Sequence, residues 1–561
     1  MVGRADVIVV GGGSAGAVMA ARLSEHAGTH VVLIEAGQDT PPGTVPADIA
    51  DTFPTSFFNS DYFWNNQTGA MRQGEPQRPF LQPKVMGGGS SVMGMISLRG
   101  LPTDYERWEA MGAKGWGWSD VEPAYRALTN DLDSDSREQN QPGPYVVRRV
   151  PRHVWPRYML GIEAAAGKRG LPSVADVYST TGDGFFPLPM AHDDTRSTTA
   201  RCYLDAAVRA RPNLSIIAGA QVERVLLHGA RVAGVSVSRG GISETISARQ
   251  VVVSAGAINS PALLQRSGVG DAVQLRRIGV EPLIDRPAVG RNYQNHVMLH
   301  FALTLEPHSR LRPDQRHYVM TGIRASSGLE GCPGGDLFIF MIGRVAPKAF
   351  GTGMGMVAVA LNQPLARGSV MIASADAGVA PIVEQAHLSV AEDRERMLIA
   401  TRLAEGMILD PGVRECYREA YLLPREAPLR LINGTGLVGA AKALGAAGVL
   451  GAPAAIRKAI LGRALAPGRV VADRTTHRPL ADDEILAACG TMFHPSGTCR
   501  MGAPGNAETV VDPECRFVGV EGLRVVDASV MPCLPSANTN LPTIMIAERA
   551  AEMMRRRLSR G

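Results

Sequence analysis

Aromatic side chains are scarce, at 5% of 561 residues, so little material exists for the aromatic cage that holds a quaternary ammonium group, and a neutral ligand is favoured. No Cys-x-x-Cys pair occurs. The seven cysteines (Cys202, Cys332, Cys416, Cys489, Cys499, Cys515, Cys533) are odd in number and scattered, which argues against a zinc or dithiol site and for reduced thiols. No metal site is expected. No apolar run approaches the roughly 20 residues that cross a bilayer as a helix. The amino terminus lacks the charged, apolar and small-residue succession of a secretion signal, so a cytoplasmic location is expected. Lys/Arg blocks are missing too; with 58 basic and 53 acidic side chains the net charge is only +5, which sets nucleic-acid binding aside. Ser90, Ser91 and Ser496 do not sit in a nucleophile elbow with an ordered acid and histidine, so hydrolysis is not indicated.

What is present is a soluble globular composition, 45% apolar and 20% charged, in a chain too long for one ordinary core. Residues 6–10 (DVIVV) predict a buried strand, followed by Gly11-x-Gly13-x-x-Gly16 and an Ala-rich helical stretch. A second apolar run, Val31 to Ile34, ends in Glu35. In such a βαβ unit the glycines make the tight turn, admit a pyrophosphate and allow close helix packing, while the carboxylate can accept from ribose hydroxyls. An adenine dinucleotide follows; the turn alone leaves FAD and NAD open. Further strands are predicted at 214–219, as a hairpin over 222–239, at 250–256 and at 523–529. Short buried strands thus recur early, midway and late. The expected fold is α/β: a discontinuous Rossmann-like dinucleotide-binding domain (1–155, 200–296 and 485–561) with an inserted α+β substrate-binding domain (156–199 and 297–484). Residues 131–144, polar and turn-rich, predict an exposed loop.

Five stretches resemble the glucose-methanol-choline (GMC) oxidoreductases in family order: KVMGGGSSVMGMISLRGLPTDYERWEAMGAKGWGWSDVEPAYR (84–126), GAINSPALLQRSGVG (256–270), VGRNYQNH (289–296), MFHPSGTCRMG (492–502) and VVDASVMPCLPSANTNLPTIMIAERAAEMM (525–554). The resemblance implies FAD as cofactor, with its phosphates at Gly11, Gly13, Ser14 and Gly16 and its ribose at Glu35. Gly88, Ser90 and Val92 would line the flavin ring, the Val222 backbone would meet adenine, and Asp527 and Ala528 would close over the cofactor. It places the family's catalytic histidine at His494 and that residue's partner, His or Asn in relatives, at Asn540. Three departures stand out. Met93 sits beside the flavin where relatives have Asn or His. Val92 occupies the position of the histidine that bonds the flavin covalently in some relatives, so the FAD is expected to be non-covalent. Asn295 stands where relatives usually have Asp.

The implied activity is oxidation of a small-molecule alcohol to an aldehyde or ketone, with the hydride passing to flavin and the proton to a base. Histidine suits that base near neutrality, and the Asn540 amide can donate to the substrate oxygen. Asn540 can instead be a capping residue of the following helix. A flavin-containing lyase or decarboxylase on the same scaffold is the alternative, kept open by Met93. The electron acceptor is quinone or oxygen, and a dehydrogenase is favoured. That preference comes from 430–469, where Arg430, Lys442, Arg457, Lys458, Arg463 and Arg469 occur without an acidic residue. The segment predicts a helix interrupted at Pro453, with a basic face, that lies peripherally on the inner face of a membrane or forms an internal lid or subunit contact.

Overall fold

The computed structural model describes residues 4–134, 142–425, 433, 436–464 and 470–558. Strand β1 (Ala5–Val10), helix α1 (Ser14–Leu23) and strand β2 (Val31–Glu35) form the opening βαβ unit. Both strands are apolar at nearly every position and buried on both faces, as a parallel sheet covered by helices requires. Leu214–Ala218 extends this sheet beside β2, and the C-terminal part of Ile242–Val253 pairs parallel with β1 on the other side, Val7 opposite Gln250. Leu523–Val525 joins parallel to the same strand.

The strand Ile242–Val253 reaches further than the sequence pattern suggests. Its first half is antiparallel to Arg231–Arg239, which pairs in turn with Gln221–His228. The expected hairpin is therefore two strands of a three-stranded meander. Its polar stretch Ser243–Arg249 hides the third strand because one face lies in solvent. The expected strand at 250–256 ends at Val253, where Gly256 opens a helix to Arg266.

A second sheet is antiparallel, in the order Val470–Asp473, Tyr417–Leu422, Val297–Leu305, Met354–Leu361, Leu337–Ile342, Val319–Ala325 and Gly184–Pro187. Helix Ala391–Ile408 covers one face, packing Met397, Ala400, Ala404 and Met407 with Leu299, Ile339 and Val359 in one core. The short strand Gly490–Thr491 pairs with the start of Val297–Leu305 and carries the chain back towards the first sheet. The fold is α/β, a discontinuous Rossmann-like nucleotide-binding scaffold with an α+β insertion. Of the loop expected at 131–144, residues 135–141 lie outside the described residues; its ends join the paired strands Thr129–Asp131 and Tyr145–Val147.

Candidate active site

The chain leaves β1 at Gly11, whose φ of +96° suits glycine, and a Cβ there would lie 2.5 Å from the Ser254 carbonyl oxygen. Gly16 backs onto the same turn: its Cβ would fall 1.8 Å from the Gly11 carbonyl oxygen. Strand and helix touch because both residues are glycine. Gly13 differs, since a Cβ would meet only Gly88 Cα, at 3.8 Å. Gly13 caps α1 without a side-chain hydrogen bond, and the first turn carries no acidic residue. The positive end of the helix is thus available to an anion.

Glu35 holds this turn. Its carboxylate accepts from Gly12 N at 2.6 Å and Gly37 N at 2.7 Å, and burial raises its pKa. The loop 87–93 packs on the turn through Gly87 N donating to Gly12 O, 2.7 Å, and through Gly88 backed against Gly13. Ser90 donates to Gly87 O at 2.6 Å. The buried Arg196, unnoticed in the sequence, donates to the carbonyls of Met93 (2.6 Å) and Ser90 (3.2 Å) and pins the far end of the loop. Asp527 accepts from Gly256 N and Ser260 Oγ through one oxygen and from Ser529 N through the other.

These parts line a cavity of about 260 Å³ that opens to solvent. Gly11, Gly13, Ser14, Glu35, Gly88, Ser90, Met93, Val222, His494, Asp527, Ala528 and Asn540 all lie along it. Gly16 and Val92 do not line it. Gly16 is spent on packing, and the Val92 side chain is fully buried in a cluster with Ile49, Tyr62, Phe63 and Val85.

At one end His494 follows the strand Gly490–Thr491. Its N–H donates to Asn295 Oδ1 at 2.9 Å, and the Asn295 amide donates in turn to Thr491 Oγ1 at 2.6 Å. Asn295 is therefore a donor here, which an aspartate could not be. Phe493, at φ +60°, turns the chain into the cavity between Phe57 and Phe80. Nε2 of His494 meets the Asn538 amide nitrogen at 3.4 Å, and its Nδ1 lies 2.9 Å from Nδ1 of His296. Burial, then the neighbouring His296, holds His494 well below the ordinary imidazole range.

Asn540 is placed differently from expectation. Its carbonyl accepts from Ser14 Oγ at 2.6 Å, its amide donates to Tyr145 OH at 2.7 Å, and it opens the helix Asn540–Leu558. The amide beside the histidine belongs to Asn538, two residues earlier. In ANTN both asparagines fit the motif, and only the start of the helix decides which one faces His494.

Models of the two parts of the GMC oxidoreductase family match residues 5–298 and 364–547. The chain belongs to the GMC oxidoreductase family. It is 34% identical to 5-(hydroxymethyl)furfural oxidase of Methylovorus sp. (strain MP688) over 98% of both chains. It is 30% identical to an oxygen-dependent choline dehydrogenase of Vibrio vulnificus (strain YJ016) over 98% of this chain and 94% of that one. Among solved structures, pyridoxine 4-oxidase from Mesorbium loti superposes with a TM-score of 0.78 at 26% identity, covering 99% of each chain. FAD is the cofactor of this GMC oxidoreductase. The cradle fits it: a side-chain-free surface at Gly13 and Gly88, an uncapped helix terminus for the pyrophosphate, and a cavity running from Val222 to His494.

Proposed function

We propose that this GMC oxidoreductase oxidises a neutral primary or secondary alcohol, with His494 as the base and Asn538 as the donor to the alcohol oxygen. The observation that carries this reading is the 3.4 Å approach of His494 Nε2 and the Asn538 amide at the cavity wall, which lets both groups meet one oxygen. The hydroxyl proton passes to Nε2, and Asn538 holds the oxygen as it becomes a carbonyl. Bound FAD supplies the acceptor for the hydride lost from the carbinol carbon. Gly11, Gly13, Ser14 and Glu35 serve its phosphates and ribose, Val222 its adenine, and Gly88, Ser90, Met93, Asp527 and Ala528 its flavin and pyrophosphate. With Val92 buried away from the cavity, the FAD is held non-covalently. The segments of the first sheet are assigned to the cofactor and the inserted domain to the substrate.

A neutral substrate follows from charge. The acidic residues along the cavity, Glu35 and Asp527, are both spent on N–H and hydroxyl donors of the nucleotide scaffold, and among the described residues no carboxylate acts on His494. A relative named as an oxidase, and a choline dehydrogenase named oxygen-dependent, support oxygen as acceptor, against the preference for a dehydrogenase read from 430–469. Anaerobic mixing with a panel of alcohols tests the reading. Neutral alcohols should bleach the flavin, choline should not, and His494→Ala should keep its flavin while slowing bleaching about 10²-fold or more. A lyase would leave the flavin oxidised. Reoxidation by oxygen against a quinone analogue then assigns the acceptor.

Peripheral membrane contact has one favourable observation: Val438, Leu444, Ile456 and Ile460 are exposed on the helical pair Gly436–Gly451 and Ala454–Ala464. The basic face expected there is reduced. Arg457 is buried against Glu419, and Lys458 pairs with Asp473. Arg430 and Arg469 lie outside the described residues. Among those residues no helix is long and apolar enough to cross a membrane.

A further inference from the structure

Beside the cavity two imidazoles meet edge to face, His296 Nδ1 lying 2.9 Å from His494 Nδ1 with the ring planes 84° apart. Two ring nitrogens at that distance share one hydrogen, so one donates and the other accepts. The backbone fixes the encounter. His296 is the residue before the strand Val297–Leu305, Val297 is paired with Thr491, and Met492 N donates to His296 O at 3.0 Å. His296 itself is 1% exposed.

The hydrogen between the rings can be assigned. A base at this cavity must present a lone pair at Nε2, the nitrogen that faces the Asn538 amide. A neutral imidazole carries one hydrogen, so that of His494 lies on Nδ1 and is donated to His296 Nδ1. The hydrogen of His296 then lies on Nε2, which is buried near the backbone of Asn362 and Pro535 and makes no hydrogen bond among the described residues.

We propose that His296 is a positioning residue, which by accepting at Nδ1 locks His494 in the tautomer that leaves Nε2 free to take the proton of the alcohol. This rests on His494 being the base. When the O–H bond breaks, its proton ends on His494 Nε2, while the carbon's hydrogen leaves with its electron pair to the flavin. No second proton moves. The Nδ1–H of the new imidazolium keeps its bond to His296, now charge-assisted. A neutral partner orients the base without the counter-charge that a carboxylate would add, so His494 stays unprotonated in mildly acid solution. His296 is itself pushed down to about 4 by burial, so it remains neutral there. Among the described residues no other titratable group acts on either ring; Asp104 and Arg107 are engaged by Gln363, and Asp104 also by Ser536.

The test follows anaerobic flavin reduction by a neutral alcohol across pH in the full-length, FAD-loaded enzyme, with nitrogen-15 NMR of labelled histidine reading the tautomer of His494. His296→Leu should retain flavin, reduce it about 10- to 10²-fold more slowly, and show His494 as a tautomer mixture. His296→Asn, whose carbonyl can accept the same bond, should recover to within a few-fold of native. His296→Asp should move the acid limb of the rate profile upward by a unit or more. The proposal is overturned if His296→Leu reduces at the native rate with an unchanged tautomer, or if Asn rescues no better than Leu. Should the Asp variant not fold, the Leu, Asn and NMR comparisons decide alone. Failure of the underlying reading looks different: the native enzyme itself would not be reduced, or His494→Ala would match it.

Discussion

Glycines at Gly13 and Gly16 do separate jobs, though both belong to one motif. A methyl at Gly16 collides with the Gly11 carbonyl, whereas one at Gly13 meets nothing of the protein closer than 3.8 Å. Gly16→Ala should therefore fail to accumulate as folded protein. Gly13→Ala should fold, with apoprotein melting as native, yet retain flavin at least tenfold less well; full retention would show that the pyrophosphate lies elsewhere. The two asparagines separate likewise. Asn538→Ala should keep its flavin and slow reduction about 10²-fold, as loss of a donor to the reacting oxygen does. Asn540→Ala should retain more of the reduction rate but lose about 1–3 kcal/mol of stability, because Ser14 and Tyr145 are left without their partner. Equal effects on the flavin reduction rate would remove the distinction drawn between them.

Single elements decide what meets at the site. Pairing of Gly490–Thr491 with the first residues of Val297–Leu305 sets His494 beside Asn295 and His296, residues nearly two hundred positions away in the chain. The helical pair Gly436–Gly451 and Ala454–Ala464 is anchored by the buried Arg457–Glu419 pair, with Thr304 Oγ1 donating to the same carboxylate at 2.5 Å. Its outer face carries Val438, Leu444, Ile456, Ile460 and Lys442. If that face lies on lipid, the enzyme should sediment with anionic liposomes at low ionic strength, release with salt, and lose binding on Leu444→Glu with Ile456→Glu. An enzyme that stays in the supernatant leaves the face as a lid or subunit contact.

Across the whole molecule, buried histidines tie stability to pH. His387, 4% exposed and without a hydrogen-bond partner at either ring nitrogen among the described residues, is pushed down to about 3 by burial and by Arg72 and Arg425; His296 is pushed down to about 4 by burial. Unfolded imidazoles take up protons below roughly 6.5, while these two do not until more acid pH. The unfolded state then binds more protons, so stability present above pH 6.5 is lost as pH falls towards 4. Denaturant unfolding measured from pH 7 to pH 4 should show this slope, and His387→Leu should flatten it by up to one proton. An unchanged slope would mean that His387 does not titrate between the two states.

Local patterns settle a good part of this protein. The β-branched run before Gly11, the glycine spacing and Glu35 suffice for a nucleotide-binding βαβ unit, because strand burial and tight turns are decided by neighbours in the chain. The motif around His494 likewise marks that histidine. Tertiary structure decided the rest, since most of the remaining features depend on residues far apart in sequence. The third meander strand at 242–249 was hidden because its exposed face is polar. Val92 carries a side chain suited either to a ring or to a core, and only the packing of Ile49, Tyr62 and Phe63 assigns it to the core. Arg457 and Lys458 look like a basic face until Glu419 and Asp473 claim them. Asn538 and Asn540 are chemically identical, so their roles separate only where the chain, on entering its last helix, points one amide at His494 and the other at Ser14.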